Sequence, residues 1–301
     1  MNPEHAARPY LSFGQYLKQK YGTHVHKVSV NAGFTCPNRD GSKGIGGCTF
    51  CNNATFSPVS ARQPSVTEQI RVGQETVTRR VGADKFLAYF QSYTNTYDEV
   101  CRLRACYDEA LAAPGVIGMS VGTRPDCVPD EVLDLLLAYQ HQGKEVWLEL
   151  GLQSAFDDSL DRVNRGHGWA EYEDACRRAR ARGLKVCTHL IVGLPGEAPE
   201  QSLISLERVL AVGTDGLKVH PLHVVKGTQL AREWKRGQYE PIGQEAYVRV
   251  VADMLCRIGP QVIVHRLTGT ASRELLLAPQ WCMNKWPVLN AIHQTLQGGQ
   301  G

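Results

Sequence analysis

Three cysteines, Cys36, Cys48 and Cys51, fall close together in the chain, separated by PNRDGSKGIGG and then by TF. Thiolates are soft ligands that suit iron–sulfur clusters and zinc. A 4Fe–4S cluster held by protein alone takes four cysteines. Three would leave one iron open to a substrate or cofactor, just as catalytic metal sites keep a position that structural sites close. Gly41, Gly44, Gly46 and Gly47 let such a loop wrap a bulky inorganic core. The rival is structural zinc: Cys48-x-x-Cys51 has knuckle spacing, and Cys36 with His24 or His26 would complete four ligands. Against zinc, the sequence has no second CxxC, and both histidines stand ahead of the loop, on or beside a predicted strand.

The chain has ten cysteines in 301 residues. Its opening segment, MNPEHAARPYLSFGQYLKQKYG, has no apolar signal core, and no later run reaches transmembrane length. A cytoplasmic chain with no membrane partner is therefore expected, in a compartment where clustered cysteines point to metal or catalysis rather than disulfides. The scattered Cys101, Cys106, Cys127, Cys176, Cys187, Cys256 and Cys282 read as small buried hydrophobes. A net charge of +3 gives no bulk argument for nucleic acid or membrane surfaces.

The elements that must position the cysteine loop show a repeating pattern. Apolar runs at 25–30, 85–91, 116–122, 145–153, 184–193 and 216–223, and a weaker one at 262–267, read as strands. Helical patterns at 66–81, 98–113, 129–142, 170–182 and 201–212 precede the second to sixth strands, each ending near a glycine. Ser65 and Glu68 form the pattern of a capping box, and Pro129 suits a first helical position. Strands that are nearly continuously apolar and alternate with helices mean a parallel sheet covered by helices. The expected fold is α/β, a partial TIM barrel of six or seven units. It divides into an N-terminal extension (1–24), a core barrel (25–267) and a C-terminal helix and loop (268–301). In such barrels the loops after the strands build the active site, and the cysteine loop follows the first strand. The GxGxxG of a dinucleotide fold is absent, and the glycine-rich KGIGG opens no helix. The arginines from Arg177 to Arg182 read as a solvated helix face, and Trp281, Lys285 and Trp286 as tail packing or a stacking surface.

The long-spaced cysteine motif ending in Phe50-Cys51 resembles the radical S-adenosylmethionine (SAM) superfamily. Within it, the resemblance is to the elongator-type branch and its YhcC-like bacterial proteins. The match extends through NAGFTCPNRDG, GCTFCN, YFQSYTNTY, VGTRPDCVPD, VWLELGLQS, NRGH, HLIVGLPGE, KVHPLHVVKGT and VHR. The resemblance implies a (β/α)6-type core, one 4Fe–4S cluster on Cys36, Cys48 and Cys51, and SAM chelated at the open iron. It also implies an electron donor such as flavodoxin or ferredoxin, and cleavage of SAM to methionine and a 5′-deoxyadenosyl radical that abstracts hydrogen from a substrate. By the same resemblance Phe50 packs near adenine, and Gln91 and Ser92 stand where relatives carry a glycine-rich amine-binding motif. Gln153 is the polar contact to SAM, Arg165 pairs with the methionine carboxylate, and Val192, Gly193 and Leu194 form the adenine edge. At Gly122 and His189 this chain lacks the acidic ribose contacts of some relatives.

Polar residues at the remaining strand ends are substrate candidates: Arg124, Asp126, Glu149, His220, His223, Lys226, His265 and Arg266. Arg124 with Asp126 also reads as a structural pair, and His220 as a satisfied core histidine. Some elongator-type relatives modify wobble uridine, so tRNA is one expected substrate. A small metabolite is the second possibility, and a non-catalytic iron–sulfur or zinc protein the third.

Overall fold

A computed structural model describes residues 10–52 and 64–298. Its centre is one sheet of seven parallel strands: β1 (Val25–Val30), β2 (Lys85–Phe90), β3 (Val116–Thr123), β4 (Glu145–Gln153), β5 (Lys185–Val192), β6 (Gly216–Pro221) and β8 (Ile263–Arg266), adjacent in that order. The sheet curves into a half-barrel. Both faces are buried, which is why the strands read as continuous apolar runs. In β4, Val146, Leu148, Leu150 and Leu152 pack toward the helices in the main core. The alternate residues Glu145, Trp147, Glu149 and Gly151 are just as buried but belong to the barrel interior.

Helices α2 (Val66–Val81), α3 (Val100–Leu111), α4 (Asp130–His141), α6 (Trp169–Ala181) and α7 (Pro199–Val212) cover the sheet where the sequence places them. Local chemistry sets their ends. Ser65 accepts the Glu68 N–H at the start of α2, but only that half of the expected box forms, because the Glu68 carboxylate pairs with Arg71 instead. Gly82 ends α2 at φ 68°, in the left-handed region that favours glycine. Pro129 is the N-cap of α4 rather than its first residue. The α6 arginines are paired rather than merely solvated: Arg178 with Asp130 and Asp174, Arg182 with Asp130 and Asp134.

Several elements were not legible beforehand. Helix α1 (Phe13–Tyr21) plugs the N-terminal end of the barrel, with Phe13 and Leu17 packing on Leu87, Trp147 and Ile263. Glu145 at the start of β4 locks the plug, accepting from Tyr16, Lys20, Tyr21, Trp147 and Lys185 at 2.5–3.0 Å. The sixth strand stops at Pro221 rather than running to 223. The chain then forms β7 (Val224–Val225), antiparallel to β9 (Leu276–Ala278). Short helices α5 (Asp157–Arg162) and α8 (Gln229–Lys235) flank the cysteine side, and α9 (Gln244–Arg257) and α10 (Lys285–Gly298) pack together beyond β8. Trp281 packs with Tyr247, whereas Trp286 is exposed beside Lys285. Of the scattered cysteines, Cys101 and Cys256 are exposed, contrary to the reading of all seven as buried. Among the described residues no helix is long and apolar enough to cross a membrane.

Candidate cluster and cofactor site

The cysteine loop is shaped by its own backbone. Cys36 O accepts from the Arg39 and Asp40 N–H groups at 2.8 and 3.1 Å, making a turn directly after the first cysteine. Gly47 N–H donates to Asn38 O at 2.7 Å, which returns the chain to Cys48, and Cys51 N–H donates to Cys48 O at 2.9 Å. Gly47 is required there: its φ is 79°, and a Cβ would lie 2.7 Å from Arg39 Nε.

Neighbouring strand ends hold the loop. Thr49 N–H donates to Val163 O at 2.9 Å, and Asn164 Nδ2 to Gly47 O at 2.9 Å, while Asn38 Nδ2 donates back to Asn164 O. Arg124 forks onto Asp126 at 2.9 and 3.0 Å and donates to Arg165 O at 2.7 Å; Lys43 of the loop reaches Asp126 at 2.7 Å. Burial opposes ionisation of Asp126, but the Arg124 hydrogen bonds and charge, then Lys43, outweigh it and hold the carboxyl down at about 2. This pair braces the loop, which is the structural reading open to it from sequence.

All three cysteines line one cavity at the C-terminal ends of the strands, together with Phe50, Gln91, Gly151, Gln153 and Arg165. Cys48 is buried, and it receives Arg165 Nη1 at 3.5 Å and Asn38 Nδ2 at 3.9 Å. Burial and the neighbouring Cys48 push the Cys51 thiol up, and Arg39, whose Nη2 donates to Cys51 O at 2.8 Å, opposes them. Among the described residues no three His, Cys, Asp or Glu side chains group tightly enough for one metal ion. Neither His24 nor His26 lines the cavity. The fourth ligand that zinc would need from His24 or His26 is therefore not brought to the thiols.

The fit to a polar cofactor rests on atoms left without partners. Gln153 Oε1, Arg165 Nε and Thr94 Oγ1 are buried and bond to nothing among the described residues, a cost a folded chain normally avoids unless a ligand satisfies it. Gln153 ends β4 at φ 82°, strained for a residue with a side chain, and a register shift against β5 lies beside it. Gly151 keeps the cradle open, since a Cβ there would lie 2.8 Å from both Arg165 Nη2 and Gln153 Nε2. Cys36, Cys48 and Cys51 can thus face an iron–sulfur cluster, with Gln153 and Arg165 offering polar atoms to a ligand beside it.

Deeper in the barrel lies a second feature. Glu149, fully buried, accepts from Lys27 Nζ at 2.5 Å, His189 Nε2 at 2.7 Å and Lys218 Nζ at 3.0 Å. Lys218 also donates to Tyr89 Oη at 2.5 Å. Burial disfavours the Glu149 charge, but Lys218 and Lys27 outweigh it and hold the carboxyl well below its usual range. Burial lowers Lys218 to about 8 against the pull of Glu149, and lowers His189 to about 4.

The other expected residues distribute unevenly. His220 and Arg266 reach the cavity. Asp126, His223, Lys226 and His265 do not line it; His265 is stacked on Phe13 at 3.9 Å. Ser92 is buried behind Gln91. Val192 faces the helices in the main core, and Gly193 and Leu194 line a separate pocket with Tyr239 and Ile242. Residues missed from sequence are Lys27, Asn38, Arg39, Tyr89, Asn164 and Lys218. A lysine inside the apolar run GLKVHP was the available signal for Lys218.

A half-barrel with a three-cysteine loop after its first strand is the arrangement that the family resemblance implied, and comparison with known proteins agrees. The Radical SAM superfamily model matches residues 33–207, and the Radical_SAM C-terminal domain model matches 214–298. The chain belongs to the radical SAM superfamily: it is an enzyme of that class, taking a 4Fe–4S cluster and SAM and needing a reductant. Within the superfamily it belongs with the YhcC-like proteins and is similar over half of its length to elongator-type proteins. It is 51% identical to Protein YhcC of Escherichia coli over 274 residues, 91% of this chain and 88% of that one. It is also 33% identical to the tRNA uridine(34) acetyltransferase of Dehalococcoides mccartyi over 155 residues, 50% of this chain and 33% of that one. Among solved structures, the archaeal Elp3 of Methanocaldococcus infernus superposes with a TM-score of 0.66 at 21% identity. That likeness covers 92% of this chain and 63% of Elp3.

Proposed function

We propose that this radical SAM enzyme modifies a nucleoside of tRNA, the wobble uridine. The observation that carries the reading is the 33% identity to a tRNA uridine(34) acetyltransferase across half of this chain. A wobble base is single-stranded in the anticodon loop and can leave its stack at low cost to enter a pocket. When bound, the cluster and SAM supply the 5′-deoxyadenosyl radical that abstracts hydrogen from the substrate.

The chain's own residues divide the remaining work. Cys36, Cys48 and Cys51 would hold three irons. Arg165 and Gln153 would orient SAM through the atoms now lacking partners, with Gln91 and Phe50 beside them; a guanidinium fork suits a carboxylate. Arg124, Asp126 and Lys43 keep the loop in place. The buried walls of the barrel exclude water from reactive species. Flavodoxin or ferredoxin is the proposed electron donor.

Nucleoside profiling of tRNA from a strain lacking the gene tests the reading, followed by treatment of that tRNA with the reconstituted enzyme. The expected result is one altered wobble-uridine derivative that the enzyme converts. An unchanged profile would overturn the tRNA assignment.

A further inference from the structure

The pairing of β6 with β8 contains a register shift: Leu217 faces Val264, but the next residue, Lys218, faces Arg266. The extra residue is His265. A bulge of this kind re-aims side chains and recurs next to active sites. Here it lets two successive residues of β8 serve the barrel interior. His265 fills the floor against Phe13 and Trp147, and Arg266 lines the cavity beside Lys218 and His220.

Arg266 differs from the other cations there. Lys218 is held by Glu149, Arg124 by Asp126, Arg39 by Cys51 O and Arg165 by Gly151 O. The Arg266 side chain has no hydrogen bond or ion pair among the described residues, although its backbone pairs in the ladder with β6. The groups around it leave a positive surplus. Lys27 and Lys218 share the single carboxylate of Glu149, and Arg266 adds a further positive charge to the same cavity, while burial holds His189, His220 and His265 neutral. Arg266 is exposed where it lines the cavity, and a cavity rim with unmatched positive charge and an unpaired guanidinium fork favours an anion.

We infer that Arg266, with Lys218 beside it, seats an anionic group of the substrate, a carboxylate or a phosphate. The inference rests on the barrel being the substrate site of a radical SAM enzyme, and it adds the charge class of what enters. A uridine nucleotide would bring a phosphate; a carboxylate-bearing base or co-substrate would bring the other.

Anaerobically reconstituted protein saturated with SAM, so that the site for SAM's own carboxylate is filled, is titrated by calorimetry with inorganic phosphate and separately with succinate, at constant ionic strength held with chloride. The wild type should bind at least one of the two, and the preferred ion identifies the group. Arg266→Gln should weaken binding about tenfold, the loss of one charge-assisted fork. Arg266→Lys should fall between. Arg273→Gln, an exposed arginine away from the cavity, should match the wild type. Failure of the wild type to bind either ion, or equal binding by Arg266→Gln and Arg273→Gln, would overturn the seat. 5′-Deoxyadenosine formation is then measured in the same samples after a strong reductant is added. Its loss in the wild type sinks the radical reading, whereas cleavage without anion binding sinks only the seat.

Discussion

Replacing Glu149 with glutamine would leave two lysine ammoniums facing each other inside the barrel without a counter-ion. Breaking a buried ion pair by removing one partner costs about 3–5 kcal/mol. Lys27 keeps 24% of its side chain exposed while Lys218 keeps 5%, so hydration of Lys27 places the expected loss near the lower end, about 3 kcal/mol. Lys218 has an escape, since burial already lowers it to about 8 and losing Glu149 lowers it further. Unfolded, it titrates near 10.5, so between the two values the unfolded chain binds more protons and stability rises with pH. In the variant that rise begins below pH 8, whereas in the wild type it begins at about 8. The deficit of Glu149→Gln should therefore be largest near pH 6 and smaller at pH 9. Anaerobic urea unfolding of cluster-loaded protein, followed by far-UV circular dichroism at both pH values, reads this as a difference between midpoints. Adding Lys218→Met should restore most of the loss. A deficit below about 1 kcal/mol, no more than an exposed surface pair contributes, or one equal at pH 6 and 9, would refute the account of the network.

Glu145 should make the fold acid-sensitive. Its carboxyl falls from 4.5 to about 2 because Lys185, Lys20 and Tyr21 outweigh burial. This contributes about 3 kcal/mol that is present above pH 4.5 and lost as pH falls toward 2; Glu145→Gln should flatten that part of an acid-unfolding curve. Asp126→Asn should release both Arg124 and Lys43 and speed loss of iron to a chelator at least tenfold, the usual scale for outer-sphere partners of a metal site. Gly151→Ala should push a methyl against Arg165 and Gln153 and weaken SAM binding about tenfold in equilibrium dialysis while cluster absorbance stays normal. Unchanged affinity would show that the cradle is not where SAM sits.

The cysteine loop was legible because residue type and spacing alone carry its chemistry, and the strands because a parallel sheet buried on both faces writes itself as apolar runs. The parts that were not legible depend on contacts far apart in the chain. Helix α1 could be seen only as an extension, because its role as a plug is set by Glu145, more than a hundred residues later. Arg124 and Asp126 remained ambiguous until Lys43 and Arg165 O appeared around them. The left-handed Gln153 and the bulge at His265 are properties of strand register, which sequence periodicity does not encode. Strands β7 and β9 have two and three residues, too few to establish an alternation.

The central claim is that Cys36, Cys48 and Cys51 together hold a cluster whose open iron takes SAM. The direct measurement is 5′-deoxyadenosine formed from SAM by oxygen-protected, iron- and sulfide-reconstituted protein supplied with a strong reductant. The account predicts turnover in the wild type, its abolition by alanine at any one of the three positions, and its persistence in Cys101→Ala and Cys256→Ala. Turnover that survives loss of one of the three, or a wild-type protein that leaves SAM intact, would contradict it.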